Sequence, residues 1–267
     1  MKQLYFLIRV PKSGSQSMWD MVRGALPESR CFRLPLLAPD PSKGITLYDR
    51  FRLRRRSLKG FWKGYRLLTE AQVWKRIGEE SKDGDIIAGH LNYGTPQLPQ
   101  AELKCITLLR HPVDRLVSEY NYHRQGYQAR SAIHQSYMAG LLKVAGTRSF
   151  SEYVAYLHDH LDVFQNKITS YIVGPHKNRD PFELMKENYF HFGVLDEMGF
   201  FADELSKKLN RPIKNTWINK TRDPKKYELS SGDEARLQDL LGKDLELYNQ
   251  TAAFVRAEKG RIDAANR

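Results

Sequence analysis

Cysteine is nearly missing from this chain: Cys31 and Cys105 are the two in 267 residues. That count excludes a disulfide framework, and Cys105 falls in an apolar run that marks it for the core. No CxxC or HExxH pair occurs, so neither a structural nor a catalytic metal site is expected. No apolar stretch approaches the ~20 residues that span a bilayer. The short run at 4–10 also lacks the small-residue cleavage site of a secretory leader. A cytoplasmic protein is the expectation, or one from which a targeting segment has been removed. Internal repeats and low-complexity tracts are absent as well. Negative charge is the scarcer sign, with 31 Asp+Glu against 43 Lys+Arg, leaving +12 at pH 7. Such an excess favours polyanionic partners: nucleic acid, membrane, acidic glycan or a phosphorylated cofactor. Much of it sits at 50–66 (RFRLRRRSLKGFWKGYR), interleaved with Phe51, Phe61, Trp62 and Tyr65. A solvated basic loop and an acceptor-facing lid both fit that pattern.

What is present suits one domain spanning 1–267, with a frayed tail from about Glu258. The apolar run at 4–10 leads into the loop PKSGSQS, and Met18, Trp19, Met21, Val22 and Leu26 then mark a helix face. Residues 27–41 are Pro-rich and read as an irregular connection. A helix is predicted over 69–82, with Thr69 and Gln72 as a capping box. Strands are predicted at 85–88, 104–109 and 189–195, and Pro112 is placed to open a helix at 113–124. Ser149 with Glu152 caps a helix over 149–161. Ser231 with Glu234 is read as the cap of the last helix, which carries Leu237, Leu240, Leu241, Leu245 and Tyr248. Apolar strands alternating with helices predict an α/β fold, a three-layer arrangement around a mostly parallel sheet. Ligands bind such sheets at the carboxyl ends of the strands. Three polar clusters fall there: 11–17, 89–94 and 110–118.

The first cluster has the makings of an anion cradle. Backbone N–H groups converge at a loop that opens a helix, Lys12 adds charge, and Gly14 lets the chain curl. It is not a Walker A loop, because Lys12 precedes Gly14 and no G-K-[ST] follows. The order P-K-S-G-S-x-S resembles instead the 5′-phosphosulfate loop of sulfotransferases that use 3′-phosphoadenosine 5′-phosphosulfate (PAPS). The run from Leu108 to Tyr120 (LLRHPVDRLVSEY) resembles the 3′-phosphate motif of that family. The segment from Gly89 to Gly94 (GHLNYG) is similar to the G-H-x-x-Y segment of its membrane-type, carbohydrate-directed branch, which includes the heparan and chondroitin sulfotransferases. Weaker likenesses follow at 165–174, 192–198 and 219–221. Gln16 stands where that family usually has Ser or Thr, and His111 where an acid or asparagine is commoner.

The resemblance implies a P-loop NTPase-like fold and a PAPS-dependent enzyme that needs no metal. Pro11, Lys12, Ser13, Gly14, Ser15, Gln16 and Ser17 would cradle the 5′-phosphate, Arg110 and Ser118 the 3′-phosphate, and Lys220 and Thr221 would close over the cofactor. His90 inherits the role of base, a task that suits a neutral imidazole. Lys12 would stabilise charge on the leaving phosphate oxygen. The implied partner is a hydroxylated glycan or small-molecule acceptor, anionic ones included, and not nucleic acid. Two other classes stay open: a non-catalytic polyanion-binding protein using residues 50–66, and a P-loop kinase. Neither the acceptor nor the oligomeric state is legible, since acceptor choice would lie in loops at 33–66 and 125–148 that carry no signature.

Overall fold

Among the described residues, five parallel strands form one sheet in the order β2-β3-β1-β4-β5. They are β1 (Lys2–Ile8), β2 (Cys31–Arg33), β3 (Ile86–Gly89), β4 (Ala101–Leu109) and β5 (Tyr189–Val194). The computed structural model describes residues 1–33, 70–213, 227 and 229–265. Its helices are α1 (Ser15–Ala25), α2 (Glu70–Glu80), α3 (Pro112–Gln128), α4 (Ala132–Ser136), α5 (Leu141–Thr147), α6 (Phe150–His158), α7 (Leu161–Phe164), α8 (Lys167–Val173), α9 (Pro181–Asn188), α10 (Met198–Leu209) and α11 (Ser231–Ala265).

Strand β1 is central, and its side chains alternate between two cores. Leu4, Phe6 and Ile8 face one layer with Trp74, Ile168, Ile172, Leu247 and Ala252. Leu7 faces the other, with Trp19 and Val22 of α1 and Phe201 and Leu205 of α10. A strand buried on both sides must be apolar throughout, which is why 4–10 reads as a continuous run. A third cluster ties α3 and α6 to the start of α11 through Tyr120, Tyr153, Leu237 and Leu241. The architecture is therefore the three-layer α/β arrangement expected.

Several local expectations are corrected. The supposed irregular stretch at 27–41 contains β2, a short edge strand paired with β3 through Cys31↔Ile86 and Arg33↔Ala88. The cap of α11 lies one residue earlier than Ser231 and Glu234. Ser230 and Asp233 exchange the bonds: the Asp233 N–H donates to Ser230 Oγ at 3.2 Å, and Ser230 Oγ donates to Asp233 Oδ2 at 2.8 Å. The buried Asp233 carboxylate also accepts from Ser151 Oγ at 2.7 Å, and this tertiary bond selects the register. The tail does not fray at Glu258, because α11 continues to Ala265. Lys259 Nζ donates to Glu197 at 2.8 Å and pins that stretch to the 3₁₀ turn Leu195–Glu197 after β5. Helix α3 likewise outruns Arg124, ending at Gln128. The capping box of α6, Ser149 with Glu152, forms as predicted. Cys105 is buried and unbonded, and burial pushes its thiol up to about 12, so it is chemically quiet. The basic segment 50–66, Thr69, Lys220 and Thr221 lie outside the described residues.

Candidate functional site

The first two polar clusters leave adjacent strands, β1 and β3, and meet at Arg9. The Arg9 N–H donates to Gly89 O at 3.1 Å, carrying the ladder one residue beyond the strands. His90 Nδ1 then lies 2.6 Å from Arg9 O. A carbonyl only accepts, so Nδ1 carries the proton and the neutral ring keeps its lone pair at Nε2. The tautomer of His90 is thus set by backbone.

Beyond Arg9 the chain turns sharply. Lys12 has φ of +64° and Gly14 φ of +72°, both left-handed. A Cβ on Gly14 would sit 2.6 Å from Leu195 Cδ1, so glycine is required twice over, by its φ and by its neighbour. Gly14 is also the N-cap of α1, with no side-chain cap bond among the described residues. Its first-turn N–H groups, from Ser15 to Ser17, are the kind of donor set that binds an anion. Ser13 is fully buried, and its hydroxyl meets no hydrogen-bond partner among the described residues. A buried hydroxyl normally has a partner, and a phosphate oxygen would supply one. Ser15 and Ser17 are buried as well.

Gln16 has a task the sequence did not disclose. Arg9 Nη2 donates to its Oε1 at 3.1 Å, while its Nε2 donates to the Asp20 carboxylate at 3.0 and 3.1 Å. A serine or threonine is too short to bridge those two groups. The departure at Gln16 is therefore matched by Arg9 and Asp20, two residues that pattern reading passed over. A charged residue at the end of the apolar run was the one available signal for Arg9.

The third cluster approaches from the opposite side, because β4 flanks β1 on the edge away from β3. Arg110 Nη1 donates to Lys12 O at 3.4 Å, a long bond that brings the arginine against the loop. Pro112 opens α3, and half-buried Ser118 follows two turns along it. One turn further, the Tyr122 ring lies under Lys12 Nζ at 4.3 Å from its centroid. Tyr122 was missed, although its i+4 spacing from Ser118 puts both on one helix face. Burial holds the Lys12 ammonium below the ordinary lysine range, and the Arg110 charge lowers it further against a smaller opposing pull from Glu119. Burial also lowers Arg110, with Asp114 and Asp196 opposing. Two partly desolvated cations beside the N–H groups of a helix start, with the buried Ser13 hydroxyl, form a site suited to a phosphorylated ligand.

The structure thus brings together Pro11, Lys12, Ser13, Gly14, Ser15, Gln16, Ser17, His90 and Arg110, with Ser118 on the adjoining helix. Among the described residues, no three His, Cys, Asp or Glu side chains stand together as metal ligands would. Also among them, no helix is long and apolar enough to cross a membrane.

No curated protein matches the chain. Among solved structures, it is similar to the mouse sulfotransferase SULT7A1, solved complexed with PAP, at 14% identity and a TM-score of 0.34. The match covers 89% of this chain but 62% of that protein, so the chain spans less than two thirds of its length. The sulfotransferase domain model matches residues 3–229, which takes in all but the first residue of the five described strands and all three polar clusters, and the chain belongs to that family.

Proposed function

We propose that the protein transfers a sulfuryl group from PAPS to an acceptor hydroxyl, most specifically that of a carbohydrate or glycoconjugate. The observation that carries this is the Arg110–Lys12 contact, which joins the two anion-binding halves around the His90 end of the sheet. Membership of a family that uses PAPS supports it. When bound, PAPS supplies a sulfur atom whose bond to the 5′-phosphate oxygen breaks as the acceptor oxygen bonds to it.

The chain's residues divide the work by position. The loop from Pro11 to Ser17 holds the 5′-phosphate through helix N–H groups, with Ser13 Oγ as an added donor. Arg110 and Ser118 hold the 3′-phosphate. His90 accepts the acceptor's proton at Nε2, the position its Nδ1 bond to Arg9 O leaves basic. Lys12 neutralises charge on the departing phosphate oxygen. A fixed donor aimed at developing charge is worth on the order of 3 kcal/mol of barrier. The carbohydrate assignment rests on the likeness of the segment from Gly89 to Gly94 to the carbohydrate-directed branch. Unpaired Cys31 and Cys105 support a cytoplasmic setting.

The test is thermal unfolding with 3′-phosphoadenosine 5′-phosphate (PAP) or ATP, followed by transfer from labelled PAPS to a panel of glycosides. A ligand at 100 times its Kd stabilises the native state by about 2.7 kcal/mol. Stabilisation by PAP and not ATP is expected. No shift with PAP, together with tight salt-sensitive binding to DNA or heparin, would favour a non-catalytic polyanion-binding protein.

A further inference from the structure

We propose that Asp196 and Tyr248 are a positioning pair for Arg110, through which helix α11 tunes recognition of the cofactor's 3′-phosphate. This inference rests on the assignment of Arg110 proposed above.

The sheet register places the parts side by side. Leu109 pairs with Val194, so Arg110 and His111 leave β4 next to the point where Leu195 and Asp196 leave β5. Tyr248 reaches both exits from α11. Its hydroxyl donates to Asp196 Oδ2 at 2.5 Å, and its ring meets the His111 ring edge-on, with centroids 5.2 Å apart and planes at 86°. Tyr248 is 4% exposed, whereas Asp196 is exposed, so the phenol is the fixed member of the pair. Burial and the neighbouring carboxylate hold the phenol well above the ordinary tyrosine range, which keeps it a donor. The charges of Asp114 and Asp196 both favour the Arg110 guanidinium against its burial.

An unrestrained carboxylate near an arginine tends to take it in a forked ion pair. Asp196 could then compete with a phosphate for Arg110. A phenol that holds one carboxylate oxygen keeps Asp196 close enough to orient the guanidinium yet unable to occupy its fork. His111 fits the same scheme. An acid at that place would add a third carboxylate beside Arg110, whereas the imidazole packs on the Tyr248 ring.

Calorimetric titration of the full chain with PAP and with adenosine 5′-phosphate isolates the 3′-phosphate contribution as a ratio of Kd values. Tyr248→Phe is expected to shrink the ratio about fivefold or more by weakening PAP alone, a size typical of coupled neighbours. Its melting temperature should stay near wild type. Adding Asp196→Asn removes the competing charge, so the double variant should regain most of the lost ratio. An unchanged ratio in Tyr248→Phe, equal weakening of both ligands, or a double variant that does not recover overturns the pairing. A wild-type protein that binds the two nucleotides equally sinks the Arg110 assignment itself, and the pairing with it.

Discussion

His90 donates from Nδ1 to the carbonyl of Arg9 at 2.6 Å, a bond between the ends of two neighbouring strands. It ties the imidazole to the backbone and fixes the proton on Nδ1. Replacing His90 with alanine should cut turnover by about 10²- to 10⁴-fold, the usual worth of a positioned base. PAP affinity should stay close to wild type, since no phosphate contact is removed. Single-turnover rates and PAP titration measure the two separately. A variant that loses cofactor affinity instead would show that His90 is not the base.

Lys12 gives a pH dependence with a definite sign. Burial, and then Arg110, lower its pKa from the ordinary 10.5, so its charge disappears at lower pH than a free lysine's. PAP affinity should therefore fall as pH rises through that lowered value, and hold below it. In Lys12→Arg the guanidinium does not titrate in this range, and the alkaline decline should vanish. Persistence of the decline in that variant would assign it to another group.

Asp244 is fully buried and accepts the N–H groups of Ile168 at 3.0 Å and Thr169 at 2.7 Å, at the start of α8. Asp244→Ala strands both donors in the core, at about 1–3 kcal/mol for each unsatisfied group. Urea unfolding should show a lower midpoint at unchanged slope. Asp244→Asn keeps one acceptor oxygen and should cost less. Equal stability of the alanine variant would mean that water reaches those amides.

His191 is 5% exposed and packs against the Phe201 ring, with Nε2 donating to Phe201 O at 2.9 Å. Burial first, and Lys208 second, push it down to about 4 from 6.5, against the Phe201 hydrogen bond. The folded value lies below the unfolded one, so the unfolded chain binds the extra proton between them. Stability from the neutral ring is complete above pH 6.5 and is lost as pH falls toward 4, at about 1.4 kcal/mol per pH unit. The urea midpoint should drop between pH 7 and pH 5 in the wild type. His191→Gln, which retains a donor but does not titrate, should flatten that slope.

The elements most legible in the sequence were those whose signals are local. The apolar runs of β1, β3, β4 and β5, the Pro112 helix start and the Ser149–Glu152 box each depend on neighbouring residues, and all of them formed. Strand β2 was illegible because three edge residues owe their conformation to β3 and not to any alternation of their own. The cap at Ser230 was misplaced by one residue, since Asp233 answers to Ser151, 82 positions away.

At the site the division is similar. Residue order alone determined that a hydroxyl-rich loop with Lys12 follows the first strand, that His90 follows the second core strand, and that Arg110 precedes a proline-started helix. Those facts fix which chemistries are available, because charge, donor type and backbone freedom belong to the residues themselves. Only the tertiary structure decided that β1 lies between β3 and β4, which puts His90 on one side of the loop and Arg110 on the other. It also decided that Arg9 carries the bond to His90, that Gln16 bridges Arg9 to Asp20, and that Tyr248 reaches Asp196 from 52 positions away. Such contacts follow from strand order and helix packing, so no window of sequence contains them.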